Sequence, residues 1–218
     1  MRQSFDKELE LLNLDIIKMG SMIEDSIDKA IIVLKKQDAQ MAEAAIKYDD
    51  AIDEMERIIE SKCLKLLLHQ QPVAGDLRLI STALKIITDM ERIGDHAADI
   101  SEIFLRIGEE QYIKQLEHIP EMGDVAAKMV RLSVDAYVKR DVILAEQVIA
   151  MDDRVDALFN ELKADLTELM IQDKKNIDQA VDFLLIAKYL ERIGDHAENI
   201  AEWVIFSVTG EHKNTRIM

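Results

Sequence analysis

Glu91 and Asp95 stand four residues apart, and Glu191 and Asp195 repeat the pair one hundred residues later. Asp49 with Asp53, and Asp152 with Asp156, share that spacing. Residues four apart on a helix are neighbours on one face, so each pair presents two carboxylates side by side, and like charges there repel by a few tenths of a kcal/mol. Hard oxygen donors at this spacing suit a multivalent cation. An isolated pair in a chain with 43 acidic residues reads as a solvated helix face. The same pairs kept in both halves favour a cation site. From the residues alone, both readings stay open.

The elements that must carry these pairs are visible in a duplication. Residues 91–97 read Glu-Arg-Ile-Gly-Asp-His-Ala, and 191–197 read the same. Upstream the offset is 103: Asp49-Asp50-Ala51-Ile52-Asp53 aligns with Asp152-Asp153-Arg154-Val155-Asp156, and Asp38 and Glu43 with Asp141 and Glu146. The drift from 103 to 100 requires a length change near Gln70-Gln71-Pro72. Self-similarity at a fixed period marks a repeated structural unit. Within it, Ile93, Ala97, Ile100, Phe104 and Ile107 recur at helical spacing, and Ile193, Ala197, Ile200 and Val204 repeat the stripe. Opposite that stripe fall Glu91, Asp95, Asp99 and Glu102, matched by Glu191, Asp195, Asn199 and Glu202.

Other residues in the repeated segment have structural readings. Arg92 and Arg192 are expected to bridge to carboxylates on an adjacent helix. Gly94 and Gly194 each cost about 1 kcal/mol relative to Ala inside a helix, which points to a close approach by a neighbour. His96 and His196 read as hydrogen-bonded histidines rather than ligands. The 11 Met residues and Cys63 read as core.

Apolar residues make up 49% of the 218-residue chain but aromatics only 5%, with 7 Gly and 2 Pro, a balance that favours long helices over short strands. The formal charge of -16 repels a phosphate backbone and excludes nucleic acid as an expected ligand. A single cysteine, no signal peptide in Met1-Arg2-Gln3-Ser4-Phe5-Asp6-Lys7 and no apolar run long enough for a membrane span predict a cytoplasmic address.

The pattern predicts helices at about 5–36, 38–70 and 76–107, then 111–139, 141–172 and 174–207, with a frayed tail after Gly210. Pro72 with Gly75 is expected to form a turn, with Asp76 capping the next helix, and Gly108, Pro120 and Gly123 to punctuate the join between halves. Helices this long with short connections pack as antiparallel bundles, three per half. The expected fold is all-α, two tandem three-helix bundles related by internal duplication, over residues 1–110 and 111–210 with a tail at 211–218.

Catalytic signatures are missing: no phosphate-cradling glycine loop, dinucleotide fingerprint, H-E-x-x-H or G-x-S-x-G elbow. A di-iron bundle enzyme needs Glu three residues before His. Here those positions hold Leu66, Ile93, Gln115, Ile193 and Thr209. A binding protein is the favoured class; a metal-dependent bundle enzyme or a plain helical scaffold are the alternatives.

At these residues the chain resembles the PhoU family of phosphate-signalling regulators. The resemblance spans the length, through Ser4-Phe5-Asp6, the block Gln71-Pro72-Val73-Ala74-Gly75-Asp76-Leu77-Arg78 and the paired Glu-Arg-Ile-Gly-Asp-His-Ala segments. It implies two tandem three-helix bundles and a negative regulator, active when phosphate is plentiful. That regulator would act between a phosphate ABC transporter ATPase and a sensor histidine kinase, as a homodimer, touching membranes only through partners. It implies metal (iron, zinc, manganese or magnesium) bound through an E(D)-x-x-x-D motif, which falls on Asp49 with Asp53, Glu91 with Asp95, Asp152 with Asp156, and Glu191 with Asp195. Asn199, where the first half has Asp99, is the expected asymmetry between the two clusters.

Overall fold

Long helices follow from the scarcity of breakers, and a computed structural model, which describes residues 2–69, 73–108, 111–212 and 215–216, contains six of them. They are α1 (Arg2–Lys36), α2 (Ala39–His69), α3 (Ala74–Ile107), α4 (His118–Lys139), α5 (Val142–Gln172) and α6 (Ile177–Thr209). The first three pack together as one bundle and the last three as another, as the duplication predicts. Among the described residues, no helix is long and apolar enough to cross a membrane.

The connection between α1 and α2 is built the same way as that between α4 and α5. Gln37 and Arg140 take left-handed φ values of 52° and 54°. The next residue then caps the following helix: Asp38 accepts from the Met41 amide at 3.0 Å, and Asp141 from the Leu144 amide at 3.0 Å. Such side-chain caps satisfy amides that a helix start leaves without partners.

The predicted stripe is the core seam. Ile93, Ala97, Ile100, Phe104 and Ile107 are buried, as are Ile193, Ala197, Ile200 and Val204. Cys63 is buried too, which raises its thiol to about 12.

The bundles join along two antiparallel helix pairs. On α1 and α4, Glu24 meets Arg131 at 3.5 Å, and a Cβ on Gly20 or Gly123 would press on Val134 or Ile31. On α3 and α6, Lys85 lies over Trp203, Asp89 meets His196, His96 meets Tyr189, and Arg106 pairs with Asp182. Numbers rising on α3 meet numbers falling on α6, so the two bundles are arranged head to tail about a pseudo-twofold.

Several expected boundaries move. The helix predicted from 111 begins at His118. Pro120 explains the shift: inside a longer helix its ring would clash with the preceding turn, but in a first turn it removes no bond. Residues 111–117 instead form a strap, with Tyr112 donating to the Leu34 carbonyl at 2.9 Å and the Ile113 amide to Gln179 at 2.6 Å. Gly123 lies inside α4, at the α1 crossing, rather than in the join. Asp76 does not cap α3; Val73 stands at the N-cap, and Asp76 is buried in the first turn, where a carboxylate suits the helix dipole. A 3-10 turn, Lys174–Asn176, precedes α6. Instead of fraying after Gly210, Glu211–His212 pairs antiparallel with Thr215–Arg216. Pro72 and the length change at Gln70-Gln71-Pro72 lie outside the described residues, as does the expected join at 109–110.

Candidate metal centre

Each carboxylate group is built at one helix–helix contact, α2 on α3 in the first bundle and α5 on α6 in the second. The glycines make the contact close. A Cβ on Gly94 would stand 2.8 Å from Asp49 Oδ1 and 3.0 Å from Ile52 Cδ1; on Gly194 it would stand 3.0 Å from Asp152 Oδ1. The repeated glycines therefore make room for a carboxylate from the neighbouring helix, together with the apolar residue beside it.

In the first bundle, one oxygen each from Asp49, Asp53 and Asp95 lie within 4.8 Å of one another. Glu91 sits at the edge, 3.4 Å from Arg92, which also bonds Asp95 at 2.7 Å. Arg92 thus bridges carboxylates on its own helix rather than across to the next, a correction to the expected role. Burial, then Asp95, Asp53, Glu91 and Asp50, push Asp49 up to about 7. Burial and Asp95 also raise Glu91.

In the second bundle, burial, then Glu198, Asp195, Asp156 and Glu191, push Asp152 up to about 7. The other three predicted residues therefore all act on Asp152. Among the described residues, no three oxygens converge as tightly as in the first bundle. Lys188 forms an ion pair with Glu191 in this bundle.

Asp99 does not join the first cluster. It turns toward α6, 3.4 Å from His96 and near Tyr189. The acidic ridge expected opposite the apolar stripe is thus divided between two neighbours: Glu91 and Asp95 face α2, while Asp99 faces α6. Nor are His96 and His196 donors to either group. They lie 5.5 Å apart, ring to ring, at the join between bundles, with His196 2.8 Å from Asp89. Burial holds His96 below the usual histidine range.

Sequence reasoning missed Glu56 and Glu198. Glu56 acts on Glu91, and Glu198 is the strongest charge on Asp152. Each stands seven residues after the first acid of the predicted pair on its helix, Asp49 or Glu191, a spacing that keeps it on the same face. Comparing the halves hid them, because Glu56 aligns with Phe159 and Glu198 with Ala98.

The residues fit a cation. Oδ1 of Asp49, of Asp53 and of Asp152 is buried without a hydrogen-bond partner. Buried oxygens left unmatched cost free energy unless something satisfies them. A hard multivalent cation does so while cancelling the repulsion between the acids.

Comparison with known proteins adds a family. The PhoU domain model matches residues 16–104 and 119–204. A "Phosphate-specific transport system accessory protein PhoU homolog" of Clostridium acetobutylicum is 43% identical over 211 residues, covering 96% of each chain. One of the same description in Aquifex aeolicus is 40% identical over 186 residues, covering 85% of this chain and 84% of that one. The crystal structure of PhoU from Pseudomonas aeruginosa matches with a TM-score of 0.90 at 34% identity, over 95% of this chain and all 100% of that chain. The phosphate transport system regulatory protein PhoU from Streptococcus pneumoniae matches with a TM-score of 0.88 at 29% identity, over 95% and 98% of the two chains.

Proposed function

The chain belongs to the PhoU family, and on that footing we propose that it is an accessory regulator of phosphate transport. The relatives are accessory and regulatory proteins by name, and this chain is read accordingly as a regulator rather than an enzyme. In detail, it is a cytoplasmic negative regulator of phosphate uptake and of the phosphate-starvation response. It works as a homodimeric adaptor between a phosphate ABC transporter ATPase and a sensor histidine kinase. Leu64, Leu68, Val73 and Leu77 leave apolar surface at the α2–α3 end that suits contact with such partners.

Metal belongs to this reading. Asp49, Asp53, Glu91 and Asp95 hold a cation in the first bundle, and Asp152, Asp156, Glu191 and Asp195 in the second, with iron, zinc, manganese or magnesium as candidates. The metal supplies positive charge between two helices whose facing acids otherwise repel. It thereby stiffens α2 on α3 and α5 on α6. The observation that carries this part is the set of buried, unpartnered Oδ1 atoms at equivalent positions, Asp49 and Asp152.

The test of the regulatory role is alkaline phosphatase activity in phosphate-rich medium, in the host with and without the gene. High activity on deletion, reversed by the intact protein, is the expected result; unchanged activity in a host with no second copy of the gene overturns the role. Complementation by a Glu191→Gln, Asp195→Asn double variant then shows whether metal matters to signalling, with loss of repression expected.

A further inference from the structure

The groove between α5 and α6 runs on past the acidic residues toward the far end of the bundle, and its character changes there. Ile177, Val181, Leu184, Leu185 and Lys188 lie within about 100° of one another around α6, on the face that carries Asp195. On α5, Phe159, Lys163 and Met170 fall on the same side as Asp152, which meets Gly194. Lys188 stands 5.6 Å from the Phe159 ring centre, and counting along the antiparallel helices brings Met170 level with Ile177. Ile177, Val181 and Leu185 are 39%, 41% and 40% exposed, and Ile171, next to Met170, is 81% exposed.

The first bundle provides a control within the same chain. Its equivalents of Phe159, Lys163, Val181, Leu185 and Lys188 are Glu56, Glu60, Ser81, Lys85 and Thr88. The α2–α3 contact forms with polar residues at these places, so helix packing does not account for the apolar ones on α5 and α6. Exposed apolar side chains gathered in one row mark a contact surface. The charge along the groove reverses too, from two glutamates and a lysine to two lysines. Lys163, and Lys174 and Lys175 at the groove's end, are exposed and make no ion pair among the described residues. Neighbouring acids are engaged elsewhere: Glu161 and Asp165 lie near His118, and Glu168 accepts from Gln172. Asp182 pairs with Arg106, and Asp178 shares that side of α6. Asp173 accepts from the Lys175 amide.

We propose that this groove is the docking site for an acidic amphipathic helix of a partner protein. The helix lays its apolar stripe against Phe159, Val181 and Leu185, and its carboxylates meet Lys163, Lys174 and Lys175. Ile177 to Leu185 spans about 12 Å, the length of roughly two helical turns. The proposal rests on the adaptor reading above and names the chemistry of one partner.

The test is fluorescence anisotropy of a labelled helical peptide, with leucine along one face and glutamate on both flanks, titrated with the full chain. Saturable binding is expected, about tenfold tighter than for the same peptide with lysine replacing glutamate. Giving the groove the first bundle's residues, as Lys163→Glu, Val181→Ser and Leu185→Lys together, should weaken binding about tenfold, the scale for losing interface anchors. Lys163→Glu alone, at an exposed position, should weaken it several-fold and carries the test if the triple variant loses its helical circular dichroism. Ile143→Ser, near the start of α5 and outside the groove, should change nothing. The proposal is overturned if the acidic peptide fails to bind, binds no better than the basic one, or binds the variants as it binds the parent. Loss of a dimer from the triple variant in sedimentation overturns it in favour of a second copy of the chain. Loss of binding to phosphatidylglycerol vesicles overturns it in favour of a membrane. Alkaline phosphatase separates this proposal from the adaptor reading. Repression lost on deletion but kept by the triple variant overturns the groove alone; no change on deletion, in a host with no second copy of the gene, overturns the adaptor reading.

Discussion

The carboxyl of Asp49 is pushed up to about 7, far above its ordinary 3.8, by burial and by Asp95 and Asp53, and Asp152 is raised to about 7 in the same way. A carboxyl raised in the folded state holds a proton that the unfolded chain has released. Metal-free protein should therefore lose stability as pH rises from about 4 to about 7, then level off. Urea titrations in EDTA at pH 5.5 and 7.5 should show the higher midpoint at 5.5, and Asp49→Asn with Asp152→Asn should narrow that gap. A gap unchanged by the double variant would remove these two carboxyls as its source. The glycines give a second test at this scale. Gly94→Ala pushes a methyl group to 2.8 Å from Asp49 Oδ1, whereas Gly194→Ala reaches only 3.0 Å from Asp152. Because Ala favours helix by about 1 kcal/mol, neither change should unfold the chain. Calorimetry should find the Mn²⁺ affinity of the first site reduced more by Gly94→Ala than that of the second by Gly194→Ala. The acidic pairs and their glycines were legible from spacing and repetition. The turn of Asp99 toward α6 was not, since spacing gives an angle about one helix and says nothing of which neighbour lies there.

Helix ends explain most of the differences at the next scale. Asp38 and Asp141 stood out in the sequence as aligned acids, and the structure gives them a common task as caps after left-handed Gln37 and Arg140. Asp38→Ala and Asp141→Ala should each cost about 1 kcal/mol in urea denaturation, with metal affinity unchanged. A comparable loss of metal from either variant would show that cap and cluster are coupled. Gly123 on α4 meets α1 so closely that a Cβ would stand 2.7 Å from Ile31 Cγ1. Gly123→Val should therefore cost about 1–3 kcal/mol through overpacking, read by the same denaturation. Helix existence, number and apolar faces were readable because a 3.6-residue period sustained over thirty residues leaves little choice. The start of α4 was misplaced because the strap at 111–117 is held by bonds to α1 and α6, distant in sequence, that no local pattern reveals.

For the whole molecule, a formal charge of -16 means that folding gathers acids against their mutual repulsion, and cations bound to the folded state alone oppose it. Mn²⁺ at one hundred times its dissociation constant should add about 2.7 kcal/mol per site, seen as a raised urea midpoint that EDTA reverses. An unmoved midpoint with metal bound would mean that the unfolded chain binds it equally well. The duplication told of two equal bundles, but their head-to-tail union was beyond it, because several of the residues that pair α3 with α6 are ones at which the copies have diverged. His196 meets Asp89, yet His96 meets Tyr189 at the equivalent place. Arg106 pairs with Asp182, whose counterpart is Thr82, and Lys85 lies over Trp203, whose counterpart is Ile103. Were the first half to take a second copy of itself as its mate, Arg106 would face a threonine and Lys85 an isoleucine. Each half thus carries a recognition code for its own opposite. That code steers a newly made chain toward closure upon itself and away from trading bundles with its neighbours.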